Sequence, residues 1–205
     1  MNNAAQQHWD KVYETKAENE VSWFQANPQH AGELMKLFNL PPGAAIIDIG
    51  GGDSLFVDAM LTAGYKNITV LDISAAAIYR AIARLGEKAG RVTWIVSDIT
   101  SFKPNKKYDL WHDRAAFHFL TTEEQINQYV SISGEAVKKA GYLLLGTFSE
   151  NGPAKCSGLE IKQYSEPAMT ARFAADFEKI KCLYEDHVTP ANKVQSFIFC
   201  GFRRK

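Results

Sequence analysis

The segment that most restricts how this chain can fold is Ala44-Ala45-Ile46-Ile47-Asp48-Ile49-Gly50-Gly51-Gly52-Asp53-Ser54. A short, continuous apolar run suits a strand covered on both faces, and here it passes directly into three glycines. Glycines at that place let the backbone approach a ligand closely. A helix beginning near Leu55 would add free N–H groups at its start. The dinucleotide fingerprint G-x-G-x-x-G, begun at Gly50, would need glycine at position 55, where Leu55 stands. A pyrophosphate site is therefore disfavoured. A tight turn that holds no ligand is the alternative against which the rest of the chain is weighed.

The pattern of that strand recurs. Further apolar runs lie near Ile68 to Asp72, Val92 to Ser97, Tyr108 to His112 and Tyr142 to Thr147, with helical spacing at Leu55 to Ala63, Ala75 to Leu85 and Glu123 to Lys139 between them. Alternation of this kind predicts an α/β, doubly wound, mostly parallel sheet of Rossmann-like type. Two helices precede it as a cap: Gln6 to Lys16, and one that Asn27-Pro28 opens and that runs to about Phe38. After the fifth strand the rhythm changes. A short helix at Pro167 to Ala174 leads into two extended segments, Phe177 to Val188 and Val194 to Arg203, which read as an antiparallel hairpin. The 205 residues then form one domain, with a cap over 1–40, a ligand-binding half over 41–150 and a hairpin half over 151–205.

Composition narrows the function. The 23 basic and 23 acidic side chains cancel, and no Lys/Arg stripe tracks a phosphate backbone, so nucleic acid is not expected as a partner. Apolar runs are too short to span a bilayer, and the N-terminus has no charged-then-apolar leader pattern. A soluble, cytoplasmic protein is the expectation. Cys156, Cys182 and Cys200 are odd in number, widely spaced and free of any CxxC arrangement, so they read as buried thiols and not as a disulfide framework or a metal site.

Acidic residues close successive strands. Asp72 lies 20 positions beyond Gly52, where a carboxylate can accept from both hydroxyls of a ribose; its alternative role is a helix cap, for which Ser74 is also placed. Asp98 ends the third strand. Taken with the loop Asp48-x-Gly50-x-Gly52-x-Ser54, these positions resemble class I S-adenosylmethionine-dependent methyltransferases, with Ser54 where that family's motif has a third glycine. The resemblance spans nearly the whole chain. It implies S-adenosylmethionine as cofactor, held by Asp48, Gly50, Gly51, Gly52, Ser54, Asp72, Ile73, Asp98, Ile99 and Asp113, with Asp98 on the adenine amino group and Ile99 against its ring. The His8-Trp9-Asp10 and Val21-Ser22-Trp23-Phe24-Gln25 segments resemble the part that closes over the cofactor in thiopurine-type and related small-molecule enzymes, which adds Trp9, Trp23 and Phe24.

The chemistry would be set after the fourth strand. Trp111-His112-Asp113-Arg114-Ala115-Ala116-Phe117-His118 loosely resembles the thiopurine methyltransferase pattern, and a related Asp-Lys/Arg-small-small pattern occurs in some protein-lysine methyltransferases. The implied reaction is an in-line displacement that needs no metal and draws on positioning and desolvation. A soft acceptor would need no base; an amine would give Asp113, His112 or His118 a role. The simpler alternatives are an Asp113–Arg114 surface pair and a His118 satisfied within the core. The leading expectation is an enzyme acting on a small molecule. The others are a protein-lysine methyltransferase and a module that binds S-adenosylmethionine without turning it over.

Overall fold

The computed structural model describes residues 3–25 and 29–205, so the proposed helix opening at Asn27-Pro28 lies outside the described residues. Helices α1 (Asn3–Thr15) and α2 (Gln29–Phe38) precede the sheet. Strand β1 (Ala45–Ile49) is buried throughout and leads through the glycines to α3 (Phe56–Thr62). Then follow β2 (Asn67–Asp72), α4 (Ala75–Leu85), β3 (Val92–Val96), β4 (Tyr108–Arg114), α5 (Glu123–Ala136) and β5 (Val137–Phe148). A two-stranded excursion, β6 (Lys155–Cys156) and β7 (Leu159–Glu160), precedes α6 (Glu166–Phe173) and the hairpin β8 (Phe177–Val188) and β9 (Val194–Arg204).

The sheet order is β3-β2-β1-β4-β5-β9-β8. Strands β1 to β5 pair in parallel, β9 runs antiparallel to β5, and β8 antiparallel to β9. This is the doubly wound sheet with a terminal hairpin that the pattern of elements predicts. Its order reverses between β1 and β4, and in such sheets the crevice outside the carboxyl ends of the strands at that point receives ligands.

Side chains alternate across the strands and bury two cores. Ile47, Ile49, Trp111 and Leu143 face α5 and α6 through Tyr129, Met169 and Phe173, while Ile46, Leu110, Leu144 and Phe199 face α2 and α3 through Leu34, Phe38 and Phe56. Helix starts carry their own caps. Ser74 Oγ accepts from Ala77 N at 3.1 Å, and Thr122 with Gln125 forms a capping box on α5. Helix α1 is latched to α4: Asp10 Oδ1 accepts from Ser74 Oγ at 2.7 Å and Ala76 N at 3.1 Å, and Arg80 Nη1 donates to Tyr13 O at 2.9 Å.

Two expectations need correction. The α5 helix stops at Ala136 and β5 starts at Val137, because the pairing with β4 already begins at Tyr108 opposite Val137. The cysteines are not all thiols: Cys182 and Cys200 form a disulfide, and Cys156 alone is free and buried. Their spacing of 18 residues says nothing about pairing, but the β8–β9 register sets Cys182 directly opposite Cys200, with Cα atoms 4.1 Å apart. No helix among the described residues is long and apolar enough to cross a membrane.

Candidate functional site

The glycine loop is shaped by what presses on it. Gly50 sits at φ +64°, donates to Leu71 O at 2.7 Å, and has no room for a Cβ, which would fall 2.6 Å from the Cβ of Ala116. At Gly52 a Cβ would meet Asp72 Oδ2 at 2.6 Å and Ala77 Cβ at 2.7 Å, so the bare backbone is what lets the strand-end carboxylate stand against the loop. Ser54 completes the turn: its Oγ accepts from Phe56 N at 3.1 Å, which serves a free N–H at the start of α3.

A cavity of about 390 Å³ opens at the switch point, within the size range of small-molecule sites. One end is walled by Asp72 and Ile73 after β2 and by Asp98 and Ile99 after β3. The floor is Gly50 and Ala116. The other end is aromatic, with Phe119, Phe148 and Phe197, beside Cys156 and Arg114. Trp9 and Trp23 close over it, Trp9 edge-on to Phe119 at 4.9 Å and to Trp23 at 5.7 Å between ring centres. Segment 21–25 is held in place from three sides: Arg114 Nη1 donates to Trp23 O at 2.8 Å, His187 Nε2 bonds Ser22 O at 2.8 Å, and Gln25 donates to Glu185 at 3.2 Å.

Asp72 is buried, and desolvation pushes its carboxyl up to about 7, reinforced by the charges of Asp48 and Asp10 and opposed by the Ser74 and Gly52 N–H groups. Its Oδ1 accepts from Ser74 N at 2.8 Å, yet the cap proper is Ser74, so Asp72 is not the residue that starts α4. Asp98 uses Oδ1 on Thr100, from whose N it accepts at 2.9 Å and from whose hydroxyl at 2.8 Å.

A second, smaller chamber of about 50 Å³ lies beyond Gly50, lined by Asp48, Gly51, Ser54, Phe24, Trp23, His112 and Arg114, among others. The parallel register sets Asp48 beside His112, and Asp48 Oδ1 bonds His112 Nδ1 at 2.6 Å while the imidazole stacks on Phe56 at 3.8 Å. Asp48 Oδ2 and His112 Nε2 are buried without a hydrogen-bond partner among the described residues. Unsatisfied atoms of this kind beside a cavity are costly to leave unmade and suit a polar ligand.

Two of the candidate residues line neither cavity. Asp113 is fully buried and lines neither cavity: Oδ1 accepts from Ala116 N at 2.9 Å and Phe117 N at 3.2 Å, and Oδ2 from Tyr129 Oη at 2.7 Å. Burial pushes its carboxyl up to about 6 against those hydrogen bonds. It holds the turn after β4. His118 is buried in the core, as the simpler alternative for it has it, and lines neither cavity, its ring packing behind Phe119 and Phe148; desolvation, with Arg114 adding to it, drives its imidazole down to about 3, and Nδ1 accepts from Phe148 N at 3.4 Å. The alternative reading of an Asp113–Arg114 surface pair does not hold either, because consecutive strand residues point to opposite faces. Arg114 instead crosses to the cavity side, over the Phe197 ring at 5.1 Å. Arg114, Phe119, Phe148, Cys156 and Phe197 are among the wall residues that sequence reasoning missed, and the hairpin that supplies Phe197 carries no motif that would have marked it.

Residues 46–141 match the family model described as a methyltransferase domain. A malonyl-[acyl-carrier protein] O-methyltransferase of Ilyobacter polytropus is 30% identical over 107 residues, 52% of this chain and 40% of that protein. An EEF1A lysine methyltransferase 2 of Mus musculus is 26% identical over 157 residues, 68% of this chain and 63% of that protein. The chain thus spans less than two thirds of the length of either curated relative. Among solved structures, the N-methyltransferase NodS of Bradyrhizobium japonicum in complex with S-adenosyl-L-homocysteine superposes with a TM-score of 0.72 at 18% identity, covering 95% of this chain and 97% of that one.

Proposed function

Because the chain carries a class I methyltransferase domain, we propose that it binds S-adenosylmethionine and transfers the methyl group to a small-molecule acceptor. The observation that carries this reading is the continuous cavity joining Asp72 and Ile73, Asp98 and Ile99, the glycine floor and an aromatic roof. Asp72 would hold the ribose hydroxyls, Asp98 the adenine amino group, and Ile73 and Ile99 the ring faces. Asp48 Oδ2 and His112 Nε2 would serve the polar amino-acid end beside Gly51 and Ser54, with Phe24 beyond.

When bound, the cofactor supplies an electrophilic methyl on a sulfonium. The chain's part is to orient and to dry the site: Trp9, Trp23, Phe119 and Phe197 exclude water and present ring faces that suit a cation. Of the three bases considered, only His112 offers an unpartnered nitrogen to a cavity, and the Asp48 bond fixes Nδ1 as the protonated one. Asp113 and His118 have no such access.

The enclosure by Trp9 and Trp23 favours a small acceptor. Similarity to the lysine methyltransferase, extending over most of this chain, supports a protein lysine as the second reading. Titration calorimetry should show S-adenosylhomocysteine binding and no NAD binding, with Gly50→Val losing it by at least about 100-fold. NAD binding without S-adenosylhomocysteine binding would overturn the proposal. Isotopic methyl transfer into a lysate, separated into protein, nucleic-acid and small-molecule fractions, tells the acceptor classes apart.

A further inference from the structure

The aromatic end of the cavity contains an unusual group. Arg114 Nη1 is engaged by Trp23 O, but its Nε and Nη2 are shielded from water and have no hydrogen-bond partner among the described residues. These two nitrogens form one edge of the guanidinium, and their N–H bonds point the same way, which is the fork that matches both oxygens of a carboxylate. A desolvated cation with two unmade donors is expensive, and desolvation lowers its pKa to about 10, with Glu185 the first of the charges that oppose the shift. No hydrogen bond among the described residues takes this edge, although the charges of Glu185 and Asp48 act on the guanidinium.

Its surroundings give it a direction. Among the described residues Arg114 is the single cationic side chain lining the cavity; it lies over the Phe197 ring, and Phe148 and Phe119 line the same cavity. The acidic Asp72 and Asp98 sit at the other end, where they would repel an anion toward Arg114. Glu160, the remaining acidic wall residue, is exposed and paired to Lys155.

We propose that Arg114 is the anchor for an anionic acceptor: a small molecule with a flat or apolar body against Phe148 and Phe197 and a carboxylate on the Nε/Nη2 edge. This rests on the cofactor reading above. The carboxylate is the recognition handle, and the methylated atom is a separate matter. The cofactor also carries a carboxylate, and the experiment separates the two sources.

Benzoate, phenylacetate and indoleacetate, each paired with its neutral amide, are titrated into the protein with and without saturating S-adenosylhomocysteine. For at least one pair, the carboxylate should bind about tenfold or more tightly than its amide. Arg114→Gln should erase that preference, whatever it does to S-adenosylhomocysteine affinity through the Trp23 contact, and Arg114→Lys, which keeps a charge without the fork, should keep part of it. The proposal is overturned if no carboxylate is preferred by the unaltered protein, a result that needs no variant to fold. It is also overturned if Arg114→Gln leaves the preference and weakens S-adenosylhomocysteine by tenfold, since Arg114 would then serve the cofactor's own carboxylate. Absence of S-adenosylhomocysteine binding alone would sink the cofactor reading, while the carboxylate preference without it would still decide the role of Arg114.

Discussion

Asp72 and Asp113 are the same residue type at the same kind of place, the carboxyl end of a parallel strand beside the switch point, and both are buried with raised pKa values. They differ in what takes their oxygens. Asp72 faces the cavity, and the helix that follows it is capped by Ser74. Asp113 faces the opposite core and is closed off by Tyr129 and two backbone N–H groups. A strand-end carboxylate is thus available to a ligand where it lines the crevice and the local turn does not take both of its oxygens.

The largest effect that sharpens this contrast is on folding. Asp113→Ala strands the Ala116 and Phe117 N–H groups and the Tyr129 hydroxyl, and should lower stability by about 2–4 kcal/mol in denaturant melts, with S-adenosylhomocysteine affinity of the folded fraction nearly unchanged. Lost affinity with unchanged stability would make Asp113 a ligand residue after all. Asp72→Ala should do the reverse, weakening S-adenosylhomocysteine by about 1.5–3 kcal/mol in calorimetry while the melting midpoint moves little.

Next in size is a pH effect confined to Asp72. Its folded pKa of about 7 lies above the unfolded carboxylate value, so the stability linked to it is complete below the unfolded value and declines as pH rises through about 7. The proposed ribose contact needs the ionised form. Affinity for S-adenosylhomocysteine should therefore rise about tenfold between about pH 6 and about pH 8, and Asp72→Asn should flatten that curve. A curve of equal slope in the variant would assign the titration to another group. The smallest effect is expected at Ser74→Ala, about 1 kcal/mol of stability from the lost cap and no change in affinity, measured by paired melts and titrations. A drop in affinity there would show that the cap and the site are not separable.

Much of the architecture was legible because period and punctuation are local properties. The apolar run into Gly50, the α4 span from Ala75 to Leu85 and the hairpin from Phe177 onward all follow from spacing that neighbouring residues impose on one another. The strand ends at Asp72 and Asp98 were legible for the same reason. The edges were less so: α5 gives way to β5 at Val137, where pairing with a strand distant in sequence outweighs helical spacing.

By itself, then, the sequence determined the order of elements, the glycine turn and the carboxylates at the end of β2 and just past β3, because each is set within a few residues. Only the tertiary structure decided which side chains share a space. Cys182 met Cys200 through strand register, and Asp48 met His112 in the same way. Asp113 went to the core and Arg114 to the cavity because one residue's step along β4 turns a side chain to the other face. Phe197 reached that cavity from the far hairpin. Such meetings depend on register and on long-range packing, which no local pattern encodes.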